Sequence, residues 1–190
     1  MQSYGRLLIL VALSALSGWF LFHQTLEKKP VVVIAPANLP PKPLENIRFL
    51  DMHSHSQALK QWQGKVIVLN FWATWCPPCR EEMPELSAMQ NQYKLQNLII
   101  LGLSTDDLNK TKAFIQKSPV LYPILAGDME AMNLSETLGN DRGILPYTVI
   151  VDTNGNVVKT FFGRVNQQLL EKSILPLLNV SSSKEIQQNS

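Results

Sequence analysis

Residues 66–86 read VIVLNFWATWCPPCREEMPEL: an almost unbroken apolar run, a short aromatic turn, then a stretch with helical spacing. The run at 66–71 is short and continuously apolar, as expected of a strand covered on both faces of a sheet. Pro77 and Pro78 fit the first turn of a helix, where a missing N–H costs little. Met83, Leu86, Met89 and Tyr93 then recur at spacings that place them on one stripe, and Pro84 is expected to kink the helix that carries them. A second apolar run at 98–103 completes a β-α-β unit.

Cys76 and Cys79 are the chain's two cysteines. A purely structural bridge across two intervening residues would close too small a loop to remove much unfolded-state entropy. Redox work is the better explanation. The thiolate is the attacking species, and Cys76 sits where a strand hands over to a helix N-terminus, a place that favours negative charge. Cys79 lies one turn further in, within disulfide reach. The spacing therefore predicts that Cys76 attacks and Cys79 resolves.

Working outward, residues 46–52 alternate loosely and predict a leading strand. Ser54 is expected to cap a helix through HSQALKQWQ that Gly64 ends. Beyond the unit, 109–117 and 129–138 read as helices, with SPVLYPILAGD (118–128) irregular between them. TVIVDTNGNVVKTFF (148–162) is a hairpin around Asn154-Gly155. A closing helix is expected from a cap near Asn166 towards Pro176, with a frayed polar tail after it. A parallel unit joined to a hairpin predicts an α/β fold with one mixed sheet and helices on both faces.

At 190 residues and 45% hydrophobic, the chain supports one core plus appendages. The balance of 17 basic against 15 acidic residues, without a charge run, excludes a nucleic-acid surface. Residues 7–22, LLILVALSALSGWFLF, are uncharged and follow Arg6. About 24 Å of helix would result, short of the ~30 Å hydrocarbon core but serviceable as a short anchor with Tyr4 and Trp19 at the interfaces. A cleaved signal peptide with Ala15-Leu16-Ser17 as its processing site is the alternative. Five prolines at 30–43 predict an extended spacer, an edge strand at 31–34 being the other reading. The expected organisation is an anchor or signal peptide at 1–28, a spacer at 29–44, a folded domain at 45–179 and a flexible tail at 180–190.

The motif NFWATWCPPC, its helix and the later GILPYTVIVDTNGNVV resemble the thioredoxin fold of TlpA/ResA-type membrane-anchored thiol-disulfide oxidoreductases, over about residues 45–178. The resemblance implies that Pro146 is the cis proline beside the disulfide and that the Leu145 backbone is a docking edge for an extended client. Trp75 and Pro77 would border that docking surface. Asn70 stands where cytoplasmic thioredoxins carry a buried aspartate, and an amide cannot act as a base. Glu82 matches an acidic residue near the active site of the extracytoplasmic members, three residues after Cys79, where a carboxylate could accept the proton of Cys79. The resemblance also implies an inner-membrane, single-pass protein with its catalytic domain facing the periplasm or extracytoplasmic space. Its partners would be protein thiol or disulfide clients and a membrane thiol-shuttling reductant, and its pathway cytochrome c maturation.

Neither proline between the cysteines offers an N–H or a polar side chain to steady the Cys76 thiolate, which leans the pair towards a reductant. The alternatives are a thiol oxidant or isomerase of the same fold, or a metal-binding or docking module. No cofactor is implied, and no metal: His53 and His55 are separated from the cysteines by a predicted helix and strand. A peroxiredoxin would carry its threonine three residues before the attacking cysteine, whereas Thr74 lies two before Cys76.

Overall fold

The computed structural model describes Val31–Ile34 and residues 44–188. In chain order the elements are strands β1 (Val31–Ile34), β2 (Arg48–Asp51) and β3 (Ser56–Ala58), a 3-10 turn (Leu59–Trp62), β4 (Val66–Trp72), helix α1 (Pro77–Tyr93), β5 (Leu98–Ser104), α2 (Leu108–Lys117), β6 (Ile124–Ala126), α3 (Asp128–Thr137), β7 (Tyr147–Val151), β8 (Val157–Phe162) and α4 (Gln167–Gln188). One mixed sheet runs β1-β8-β7-β4-β5-β6-β2-β3. β4 pairs in parallel with β5 and antiparallel with β7, so the strand feeding the cysteines lies at the centre. Every residue of β4 is buried.

Alternation along β4 divides the core in two. Val66, Val68 and Trp72 join the cluster under α1 and α4, where Met83, Leu86, Met89, Tyr93, Leu170 and Ile174 also sit. Phe114 of α2 packs at a tilt against Trp72 on this side, with ring centroids 5.4 Å apart. Ile67, Leu69 and Phe71 face the other cluster, closed by Ala131 and Leu134 of α3. Asn70 has the parity of the α1 side. This is a thioredoxin-like α/β fold.

Four local expectations change. The helix predicted after Ser54 is instead a β2–β3 hairpin followed by the 3-10 turn. Asp51 Oδ1 accepts the N–H groups of His53 and His55, and Ser54 has φ 67°, so the turn chemistry of Asp51 overrides a helical cap. The irregular 118–128 stretch contains β6, which pairs with both β5 and β2. Val31–Ile34 is an edge strand antiparallel to β8 rather than spacer alone. The closing helix runs through Pro176 to Gln188, because a prolyl φ is itself helical and the ring removes one rung without forcing a stop.

The expectation of a membrane-anchored protein is corrected. Among the described residues no helix is long and apolar enough to cross a membrane. The longest, α4, carries Glu171, Lys172, Lys184 and Glu185 along its length. Residues 7–22, on which the anchor and the signal-peptide reading rested, lie outside the described residues. The described residues therefore supply no spanning helix for an inner-membrane placement, for a domain held on the periplasmic side or for a membrane thiol-shuttling partner.

Candidate active site

β4 ends at Trp72, and the four residues after it turn the chain into α1. Three contacts from the segment after β5 hold that turn: the Thr105 N–H and hydroxyl both donate to the Trp72 carbonyl, and Asp106 Oδ2 accepts the Thr74 N–H at 2.6 Å. Cys76 is the N-cap of α1 in extended conformation, with Pro77 and Pro78 opening the helix. Cys76 and Cys79 form a disulfide with Cα atoms 5.4 Å apart. Both cysteines are buried, Cys79 at 0% and Cys76 at 3%, and Cys76 lies between exposed Trp75 and exposed Pro77. Arg80, next in line, is exposed, and Trp72 is packed in the core.

One turn below the disulfide, Glu82 is fully buried on the same helix. Its Oε1 accepts from Asn70 Nδ2 at 2.7 Å and its Oε2 from the Val165 N–H at 2.8 Å. Asn70 Nδ2 also donates to Thr148 Oγ1 at 3.0 Å, so the amide spans β4 and β7 beneath the acid. Burial pushes the Glu82 carboxyl up to about 8. The Val165 N–H, the Asn70 amide and the Arg164 guanidinium oppose that rise, and the Glu85 carboxylate adds to it. At neutral pH this acid is mostly protonated, yet close enough to its midpoint to exchange a proton readily.

The Leu145–Pro146 peptide is cis. The register pairs Tyr147 with Phe71, which brings Pro146 level with Trp72 at the end of β4 where the cysteine turn begins. Half-buried Leu145 packs against the cluster that contains both cysteines, and Ile144 before it is exposed. The Pro146 carbonyl accepts the Gly163 N–H, linking this edge to the loop that reaches Glu82. The structure thus assembles Cys76, Cys79, Glu82, Leu145 and Pro146 at one end of the sheet, with Trp75 and Pro77 on its rim. His53 and His55 sit in the β2–β3 turn around Asp51, on strands at the sheet's edge beyond β5 and β6. Among the described residues no cluster of His, Cys, Asp or Glu has metal-holding geometry.

Sequence reasoning did not find Val165, Arg164, Glu85, Thr148 or Asp106. The first contributes a main-chain N–H, which leaves no mark in sequence. Glu85 stands three residues after Glu82, a spacing that hints at a shared face but not at a partner 79 residues away.

A sheet of this order with a cysteine pair at the helix following its central strand defines a thioredoxin-fold thiol-disulfide oxidoreductase. The chain belongs to the AhpC/TSA family, which matches residues 40–160. It is 29% identical over 175 residues to the thiol-disulfide oxidoreductase ResA of Bacillus thuringiensis strain Al Hakam, covering 90% of this chain and 95% of that one. The thioredoxin-like protein YneN of Bacillus subtilis strain 168 is 29% identical over 172 residues, covering 88% and 94%. Among solved structures, a thiol:disulfide interchange protein DsbE from Chlorobium tepidum superposes with a TM-score of 0.63 at 23% identity, covering 71% of this chain and 94% of that one. The DsbF structure from MTB has a TM-score of 0.61 at 26% identity, covering 72% and 98%.

Proposed function

We propose that the protein is a TlpA/ResA-type oxidoreductase that reduces protein disulfides. The observation that carries this reading is the placement of one sulfur at the N-cap of α1, flanked by exposed Trp75 and Pro77, and of a second, fully buried sulfur one turn in, with the buried acid Glu82 three residues further along the helix. In the reduced enzyme the Cys76 thiolate attacks one sulfur of the client disulfide. That bond breaks, Cys76 becomes joined to the client and the second client sulfur leaves as a thiolate. Cys79 then loses its proton to the Glu82 carboxylate and attacks Cys76 Sγ. The mixed disulfide breaks, the client holds two thiols, and Cys76–Cys79 is the oxidised product. Two electrons have passed to the client, and a dithiol donor returns them in the reverse sense, with protonated Glu82 supplying the proton to Cys79 as it leaves.

The client docks as an extended segment along Leu145 and Pro146, with Trp75 and Pro77 as flanking apolar contacts. The client class is the haem-binding cysteine pair of an apocytochrome c, which places the protein in cytochrome c maturation. That choice rests on the resemblance, and reduction of a disulfide-bonded Cys-x-x-Cys-His peptide faster than of an unrelated peptide disulfide tests it.

The direction is tested by the reduction potential. A value near the about −270 mV of thioredoxin is expected, and one near the about −120 mV of DsbA would replace the reductant by an oxidant. The roles are tested by trapping: Cys79→Ala should accumulate a mixed disulfide with a client peptide. Equal trapping by Cys76→Ala would reverse the assignment.

A further inference from the structure

The loop between β8 and α4 is held to α1 by three glutamates. Glu82 Oε2 takes the Val165 N–H at 2.8 Å. Glu85 Oε1 takes Arg164 Nη2 at 2.8 Å, and its Oε2 takes the Gln167 N–H at 3.3 Å. Glu81 stands 3.9 Å from Arg164 Nη1. The loop begins at Gly163, whose N–H is bonded to the Pro146 carbonyl and whose φ of 83° suits glycine. It therefore connects the docking edge to the buried acid.

We propose that Arg164 is a positioning residue: with Glu85 it fastens this loop to α1 and so keeps the Val165 N–H on Glu82, setting how readily that acid gives and takes a proton. The inference rests on the reading of Glu82 as the proton partner of Cys79. The Arg164–Glu85 pair is about one-third exposed on each side, and a pair so placed contributes little to stability. Its geometry is more specific than its strength. The Arg164 fork reaches two carboxylates on successive turns, while Glu85 also takes the main-chain N–H of Gln167, the first residue of α4. Between those two points of attachment lies Val165, the residue whose N–H meets the acid.

Four charged or titratable groups act on Glu82 or on its loop: Glu81 and Glu85 from α1, Arg164 from the loop, and buried Tyr122 from the segment before β6. Their signs separate a fastening role from a plain electrostatic one. The Arg164 charge lowers the proton affinity of Glu82 and the Glu85 charge raises it. If only charge mattered, Arg164→Gln would move the Glu82 midpoint up and Glu85→Gln would move it down. If the pair fastens the loop, each variant loosens the Val165 N–H, a donor that favours the ionised acid. Both midpoints then move up.

The experiment follows the Glu82 carboxyl carbon by NMR through a pH titration of the full chain, with Glu82→Gln identifying the resonance. Arg164→Gln and Glu85→Gln are expected to raise the midpoint, and Arg164→Lys, which keeps one donor and the charge, to restore part of the shift. A rise of one pH unit would lower the carboxylate fraction at neutral pH about tenfold, and the resolving step should slow with it. A downward or absent shift in Glu85→Gln overturns the proposal. A native midpoint unaccompanied by any pH dependence of the resolving step overturns the reading of Glu82 instead, whatever the loop variants do.

Discussion

Asn70 Nδ2 donates to Glu82 Oε1 at 2.7 Å, across two elements whose residues stand 12 apart in sequence. The acid of this site is thus on the helix and the amide on the strand, which keeps one ionisable group where two carboxylates would repel. Asn70→Ala removes the donor shared by Glu82 and Thr148. We expect a loss of about 1–3 kcal/mol for the buried acceptors left short, read by chemical denaturation. The same variant should raise the Glu82 midpoint, because the amide bond favours the ionised form. Unchanged stability together with an unchanged midpoint would show that the amide does not hold the acid.

Glu82 also makes stability depend on pH. Its folded midpoint of about 8 lies above the ordinary 4.5, so the native state binds the proton more tightly than the unfolded chain. The stability from holding the neutral acid is complete below pH 4.5 and is lost as pH rises through about 8. The span is on the order of a few kcal/mol. Denaturation midpoints between pH 5 and 9 should fall for the native chain and stay flatter for Glu82→Gln. Parallel slopes would mean that the carboxyl ionises at an ordinary pH.

The site was legible in sequence wherever local pattern carries the information. Cys76, Pro77 and Cys79 announce a strand-to-helix turn by themselves, and the stripe from Met83 to Tyr93 reports the buried face of α1. The β2–β3 hairpin was not legible, because Ser54 followed by a polar stretch reads equally as a helix cap. Only the Asp51 side chain, folded back onto two N–H groups, decides otherwise. β6 was missed because three residues between Pro123 and Gly127 carry no period of their own. The surroundings of Glu82 were hidden for a different reason: Val165 reaches it, and Thr148 reaches its partner Asn70, through tertiary contacts.

Trp75 is 68% exposed beside Cys76, an unusual position for so large an apolar ring. Substitution by alanine removes that exposed area, the proposed docking contact, without opening the core. Stability should stay within about 0.5 kcal/mol, while kcat/KM for a protein disulfide falls about tenfold. Reaction with a small disulfide such as oxidised glutathione should hardly change. Equal losses for both substrates would place Trp75 in support of the cysteine turn rather than in client docking.

Gly102 lies opposite Asn70 in the β4–β5 register, on the α1 side of the sheet. A Cβ there would stand 2.5 Å from Ile124 Cδ1, 2.9 Å from Tyr122 Cε2 and 3.3 Å from Trp72 Nε1. The Ile124 methyl can rotate aside, but the Tyr122 ring is buried and Trp72 is wedged against Phe114, so the strain passes into two aromatic side chains. Gly102→Ala is therefore expected to destabilise by about 1–3 kcal/mol through overpacking, lowering Tm by roughly 3–8 °C. Tyr122 precedes β6 and Trp72 ends β4, whereas Asn70, which bonds Glu82, is tied to Thr148 on the other neighbour of β4, so the Glu82 midpoint should move little. A stable variant would show that β6 moves freely over β5. A shifted midpoint would show instead that the packing around Trp72 supports the buried acid as well as the fold.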